Sequence, residues 1–364
     1  MTSLAVADGR LIGFDALNVG ALARVWRMLE GAGEEARIVG GAVRDWALGL
    51  HVNDVDFATT ATPDVVIARA KAAGFRSVPT GIEHGTVTLL AEGRAFEVTT
   101  LRRDVETDGR RAKVAFGRDF RVDAERRDFT INALGLDLHG RIHDTAGGLA
   151  DLAAGRVRFI GDAQRRVRED HLRILRFFRF SAAYGRGALD ADGLKACVAG
   201  RSGLAALSRE RVHAELIKWL GAPAAGQTAS EAAEAGLLDD ALGGVAYGAR
   251  LRKVIAIQRT DEAGADPPLR LAALAVMVVE DAKRLRQRLR LSNAEADRLE
   301  AMATALPPLR GRSVPPSLGD LRVLLFERGR RAAFSPRPPN RNCPLAAPIC
   351  SSAASPTDRA WDGS

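Results

Sequence analysis

A glycine pair between two short apolar runs constrains the first third of this chain more than any other feature. Residues 37–63 read RIVGGAVRDWALGLHVNDVDFATTATP. The apolar run Ile38-Val39 breaks at Gly40-Gly41, a short helical segment carries Arg44 and Asp45, and the chain returns as Asp54-Val55-Asp56-Phe57. Residues two apart in a strand share a face. Asp54 and Asp56 are therefore expected side by side, with Val55 and Phe57 in a core. Two carboxylates this close repel unless a cation lies between them. Divalent ions bound to a nucleotide would serve, because Mg²⁺ takes oxygen ligands and completes its shell with phosphates. A glycine turn opening a helix offers backbone N–H groups and a positive dipole end to an anion. The stretch predicts phosphoryl-transfer chemistry. The plainer alternative is a chance turn followed by two solvated aspartates, since a lone Asp-x-Asp is common.

The chain has 364 residues, 46% of them hydrophobic, enough for two or more domains with buried cores. Lys and Arg outnumber Asp and Glu by 53 to 45, for a net charge of +8. That balance favours a polyanionic partner such as nucleic acid. Cys197, Cys343 and Cys350 lack metal-ligand spacing, which argues against a disulfide framework and fits a reducing compartment. No secretory leader and no run of membrane-spanning length is evident, so a cytoplasmic protein is expected, with no membrane and no protein partner implied.

Helical periodicity predicts one helix over 15–29 with Asp15 as N-cap, and Pro63 and Gly74 bracket another. Strands are predicted at 37–39, 54–58, 85–90 and 95–101, and a hairpin over 135–144. This describes a small mixed sheet with helices. Composition reads 102–121, centred on Asp108-Gly109-Arg110-Arg111, as a charged surface loop. One helical stretch is predicted over 162–184, in which Asp170 and Arg173 at i and i+3 share a face and Leu172, Leu175 and Phe178 form a buried stripe. A further helix opens at Ser208, with Glu210 and Arg211 read as structural and Val212, Leu216 and Leu220 as core. Beyond Gly221 the chain is alanine-rich and helical in pattern, and Lys283, Arg284, Arg286, Arg288 and Arg290 make a basic run suited to an RNA backbone or to a solvated face.

Gly40-Gly41-Ala42-Val43-Arg44-Asp45 with Asp54-Val55-Asp56 resembles the signature of the class II nucleotidyltransferases, the bacterial CCA-adding tRNA nucleotidyltransferases and related poly(A) polymerases. Arg126-Arg127-Asp128-Phe129-Thr130-Ile131-Asn132-Ala133 is similar to a second motif of that family, and Glu169-Asp170-His171-Leu172-Arg173 to a third. On residue chemistry alone, adjacent arginines can hold phosphates bidentately while Asp128 fixes one of them. The resemblance implies an α+β protein: a nucleotidyltransferase head over 1–146, a helical neck over 147–221, and a helical body and tail over 222–330 that bind tRNA. It implies that Asp54 and Asp56 hold magnesium, that Gly40, Gly41, Arg44 and Arg127 cradle the triphosphate of CTP or ATP, and that Asp170 and Arg173 choose the base. Arg176 and Arg179 extend the basic surface. Glu97 either completes a three-carboxylate catalytic cluster or is an ordinary strand glutamate. The loop over 102–121 would help switch from C to A addition. The implied activity is template-free addition of CCA to tRNA. The rivals are a poly(A) polymerase or CC-adding enzyme of the same family, and an inactive RNA-binding protein. Residues 331–364 hold 6 of the 15 prolines and no helical period, so disorder or an altered reading frame is expected there.

Overall fold

Alternation of buried and exposed residues along short strands sets the architecture of the head in the computed structural model. The structure describes residues 4–52, 54–107, 112–258 and 264–305, with only the backbone of 103–107 and 112–114. The expectations for Asp108–Arg111 and for 331–364 lie outside the described residues. A minimal pair, β1 (Val6–Ala7) and β2 (Arg10–Leu11), precedes α1 (Phe14–Leu17) and α2 (Gly20–Leu29). The single helix expected over 15–29 is thus two. Extended Val19 and left-handed Gly20 interrupt it, and Asp15 sits in the first turn of α1 rather than at its cap.

β3 (Ala36–Val39), α3 (Gly41–Ala47), β4 (Asp56–Thr59) and α4 (Pro63–Ala72) follow. Pro63 occupies the first turn of α4, where its missing N–H costs nothing. β5 (Arg76–Gly81), β6 (Thr86–Ala91) and β7 (Arg94–Thr100) come next. β5 carries no strand signal in the sequence, because its residues lack apolar alternation and include Pro79; such a strand is tolerated at a sheet edge. β8 (Arg102–Thr107) and β9 (Ala112–Phe116) pair as a separate antiparallel ribbon, followed by α5 (Phe120–Glu125). The charged stretch expected as a loop is therefore largely regular, because cross-strand pairing satisfies its backbone without demanding an apolar face. β10 (Leu134–Leu136) and β11 (Ile142–Asp144) form the predicted hairpin.

Seven strands make one mixed sheet in the order β11-β10-β3-β4-β7-β6-β5, with β4 and β7 parallel and the other neighbours antiparallel. One face, with Ile38, Phe57, Phe96 and Val98, is fully buried. An edge-to-face run joins Phe14, Trp26 and Phe57 at 5.9 and 5.6 Å, and Trp26 Nε1 donates to Ala36 O at 3.0 Å. The register Val39–Asp56–Glu97 shows that the opposite face carries the acidic residues.

After the sheet come α6 (Gly148–Ala154), α7 (Ala163–Glu169), α8 (Leu172–Tyr184), α9 (Ala191–Ala199), α10 (Arg209–Gly221), α11 (Ala225–Glu234), α12 (Leu238–Leu242), α13 (Gly248–Gln258), α14 (Pro267–Ala275), α15 (Val279–Leu289) and α16 (Asn293–Ala305). The protein is α+β. The helix expected over 162–184 breaks at Asp170, whose backbone is extended (φ −153, ψ 107), so α7 and α8 are separate. The predicted stripe of Leu172, Leu175 and Phe178 is buried, and Phe178 stacks on Trp219 of α10 at 5.2 Å. Phe129 stands between sheet and helices, 4.8 Å from Phe159 and 5.3 Å from Phe180. Among the described residues no helix is long and apolar enough to cross a membrane.

Phe57 is 1% exposed at the centre of the sheet. Phe57→Ala is expected to lower unfolding stability by about 3–5 kcal/mol, read from the urea midpoint. A loss below about 1 kcal/mol would contradict the packing described here.

Candidate active site

The backbone at Gly40 (φ 75, ψ −128) excludes side chains, and a Cβ there would lie 2.9 Å from Arg127 Nη1. α3 opens from it without a side-chain cap, leaving its first N–H groups toward the cleft. Arg44, one turn on and 6% exposed, is almost fully engaged. Its Nε donates to Asp45 Oδ1 (2.8 Å), Nη1 to Asn132 Oδ1 (2.5 Å), and Nη2 to Asp45 Oδ2 (3.0 Å) and Tyr184 OH (2.6 Å). Arg44 therefore ties α3 to α8 as well as lining the cleft.

The expected alternation holds at the return strand: Val55 and Phe57 are buried while Asp54 and Asp56 are exposed. Asp54 lies just before β4 rather than inside it. The parallel register sets Glu97 directly beside Asp56. Partial burial in the cleft, then the neighbouring charges of Glu97 and Asp54, push the Asp56 carboxyl above its ordinary range against the pull of Arg127. Among the described residues no three acidic, histidine or cysteine side chains stand ready-made as a metal site. Magnesium needs only one or two carboxylates when substrate phosphates complete its shell. The hard, water-accessible oxygens of Asp54 and Asp56, crowded by like charge, fit that demand.

Asp128 does not fix either neighbouring arginine, as sequence had implied. It is 7% exposed and accepts from Arg176 Nε (2.8 Å), Asn132 Nδ2 (3.0 Å) and its neighbour's N–H at Phe129 (2.9 Å). Burial alone would raise its pKa, but Arg176 and these hydrogen bonds outweigh burial and hold it below the usual range. Arg126 and Arg127 pair instead with Asp123 on α5. Glu215 of α10 takes Arg176 Nη1 at 3.3 Å and Arg179 Nη1 at 2.7 Å. The ring of Phe180 lies among three guanidinium groups, with Arg179 at 4.3 Å, Arg176 at 5.2 Å and Arg44 at 5.4 Å.

Asp170 and Arg173 do not share a helix face. Asp170 Oδ1 caps α8 by accepting from Leu172 N–H (3.0 Å), and Oδ2 accepts from Arg211 Nη2 at 2.7 Å. Arg173 turns away, to Glu169 (2.7 Å) and to the Arg166 carbonyl (2.9 Å). Both still line one cleft of about 450 Å³. The head supplies Gly40, Gly41, Arg44 and Asp56 to it, the link supplies Arg127, and α8 supplies Arg176 and Arg179. Asp54 and Glu97 flank Asp56 and are not part of its lining. Asn132, Phe180, Tyr184 and Glu215 were not foreseen. Asn132 lies inside a motif and Phe180 and Tyr184 inside the predicted helical stretch, but nothing local in the sequence pairs Glu215 with arginines more than thirty residues away. Arg211, read as structural, reaches Asp170. The basic run on α15 is partly internal: Arg284 pairs with Asp281 at 2.6 Å, Arg286 donates to Asn293 at 2.8 Å, and Arg290 pairs with Glu210 at 2.8 Å.

The chain is similar to several known proteins. Residues 36–158 match the family model described as the poly A polymerase head domain. The chain is 41% identical over 267 residues to the mitochondrial CCA tRNA nucleotidyltransferase 1 of Mus musculus, covering 72% of this chain and 60% of that protein. It is 42% identical over 213 residues to the CCA-adding enzyme of Geobacillus thermodenitrificans, covering 58% of this chain and 52% of that protein. The chain thus spans between about half and three fifths of these relatives' length. The crystal structure of the Bacillus stearothermophilus CCA-adding enzyme in complex with CTP superposes with a TM-score of 0.66 at 32% identity, covering 85% of this chain and 74% of that one.

The raised Asp56 pKa sets the sign of a stability prediction. The folded protein binds the Asp56 proton more tightly than the unfolded chain does, so ionised Asp56 destabilises the metal-free fold above the raised pKa, and that penalty fades as pH falls through it. Asp56→Asn should therefore raise the metal-free melting temperature at neutral pH, with the gain shrinking as pH drops toward the ordinary range of an aspartate carboxyl. A gain that grows on acidification would be the wrong sign.

Proposed function

The chain belongs to the class II nucleotidyltransferase family, which includes the CCA-adding enzymes, and from that premise we propose that it adds C, C and A to the 3′ end of tRNA from CTP and ATP, without a nucleic-acid template, releasing pyrophosphate. The observation that carries this reading is a nucleotide-sized cleft that brings the motif residues together. It gathers a glycine turn, several arginines, an exposed aspartate and the Asp170–Arg173 pair.

Asp54 and Asp56 would hold Mg²⁺, which when bound lowers the pKa of an attacking hydroxyl and neutralises a leaving pyrophosphate. The other roles fall to side chains. Arg127, Arg176 and Arg179 neutralise and orient the triphosphate, and Gly40 and Gly41 let it approach the opening turn of α3. Arg176 and Arg179 are held by Asp128 and Glu215, so little side-chain freedom is lost when phosphate arrives. Asp170 accepts from the exocyclic amino group shared by cytosine and adenine, and Arg173 donates to the adjacent ring acceptor. Guanine and uracil present a carbonyl at that point, leaving the carboxylate facing an oxygen. Arg211 keeps the Asp170 carboxylate oriented in the free protein. The tRNA body would lie along the helices after α10, where charge rather than base contact serves.

The test is extension of tRNA lacking its 3′ CCA, with CTP and ATP supplied separately and together and products sized to one nucleotide. Three additions that stop, C before A, are expected. A long A ladder would make the protein a poly(A) polymerase, and tRNA binding without extension would leave an RNA-binding protein. Asp54→Ala and Asp56→Ala should each lower turnover by about a thousandfold or more.

Loss of the base-reading pair should act differently. Asp170→Ala is expected to narrow the preference for CTP over UTP by roughly 1–3 kcal/mol, or about 5- to 150-fold. Unchanged discrimination, measured by competing the two nucleotides, would remove Asp170 from base choice.

A further inference from the structure

Asp123, on α5, has no part in the roles given above, yet its carboxylate is among the least exposed charged groups of the protein, at 4%. Its two oxygens are divided between adjacent arginines. Oδ1 accepts from Arg126 Nε at 2.9 Å, and Oδ2 accepts from Arg127 Nη2 at 3.2 Å. Arg127 is the arginine that closes over the glycine turn, its Nη1 within 2.9 Å of where a Gly40 Cβ would stand.

We propose that Asp123 is a positioning residue that aims Arg127 at the nucleotide's phosphates. The proposal rests on the nucleotidyltransferase reading. An arginine on a flexible stem loses considerable rotamer freedom when it grips a ligand. A buried carboxylate four residues upstream removes that freedom beforehand. Two cationic partners offset the charge of a buried carboxylate. Arg126 supplies a close, two-nitrogen contact with Oδ1. Arg127, on the longer bond, also donates Nη1 to the Asn132 carbonyl at 3.4 Å and still lines the cleft. Asp123 itself is absent from that lining, so its effect on a nucleotide passes through Arg127.

The experiment uses the full chain with Mg²⁺ and measures dissociation constants for CTP and for pyrophosphate by titration calorimetry. This readout does not depend on turnover, so a wild-type protein that failed to extend tRNA would overturn the function without deciding this point. Asp123→Asn is expected to weaken both ligands by about tenfold, because pyrophosphate lacks the base and reports the phosphate end alone. In an Arg127→Ala background the same substitution should change neither by more than about twofold, since a residue that acts through another has no effect once that partner is gone. Asp123→Asn binding as wild type, or weakening both ligands equally with and without Arg127, would overturn the proposal. If Asp123→Asn does not fold, Asp123→Glu serves in its place. It keeps the charge but shifts the oxygens by one methylene, and it should show a smaller loss with the same masking by Arg127→Ala.

Discussion

Asp128 has given up nearly all contact with water and still stays ionised, because Arg176 reaches it from α8. This one charge pair crosses the seam between sheet and helices, and most of the cleft depends on it. Asp128 also holds Asn132, Asn132 holds Arg44, and Arg44 holds Tyr184 back on α8. The loop between α5 and β10 is thereby clamped from both sides by the helix it faces. Breaking a buried pair by removing one partner typically costs 3–5 kcal/mol, since it leaves a charge without water or counterion. Here the cost would fall on the seam where the arginines are aligned.

The charges of the cleft are arranged with deliberate imbalance. On the α8 side each arginine has an acid behind it: Asp128 and Glu215 for Arg176, Glu215 for Arg179. These arginines are held in place while lining the cleft, and Phe180 spaces them without competing for their hydrogen bonds. On the sheet side Asp54, Asp56 and Glu97 crowd together, and Asp56 responds with a raised pKa. Preorganised cations facing under-neutralised carboxylates suit a ligand that is itself a metal–polyphosphate complex, anionic toward one wall and cationic toward the other. Either wall alone would have many explanations.

Reading the sequence captured the local chemistry well where backbone geometry and side-chain period coincide. Gly40 needs a conformation closed to other residues, and Asp54 to Phe57 alternate as a strand must. The reading went astray where a residue's partner is distant. Asp170 was placed on a helix with Arg173, but its backbone is extended, and its carboxylate is used by the Leu172 N–H and by Arg211 forty-one residues away. Asp128 was assigned to its neighbouring arginines and instead binds one forty-eight residues later. The charged stretch after Leu101 looked like loop because ribbon pairing uses backbone groups that are the same for every residue type.

What the sequence determined by itself was the set of participants and the kind of fold. The glycine turn, the paired aspartates, the arginine-rich motifs and the apolar periods each follow from backbone preference or from residues a few positions apart. Only the tertiary structure decided which acid faces which arginine, that Asp123 and Glu215 stand behind arginines that line the cleft, and that Arg44 joins α3 to α8. The physical reason is that a charge in a partly buried site is governed by its nearest counter-charges, and those are set by how the sheet packs on the helices rather than by order along the chain.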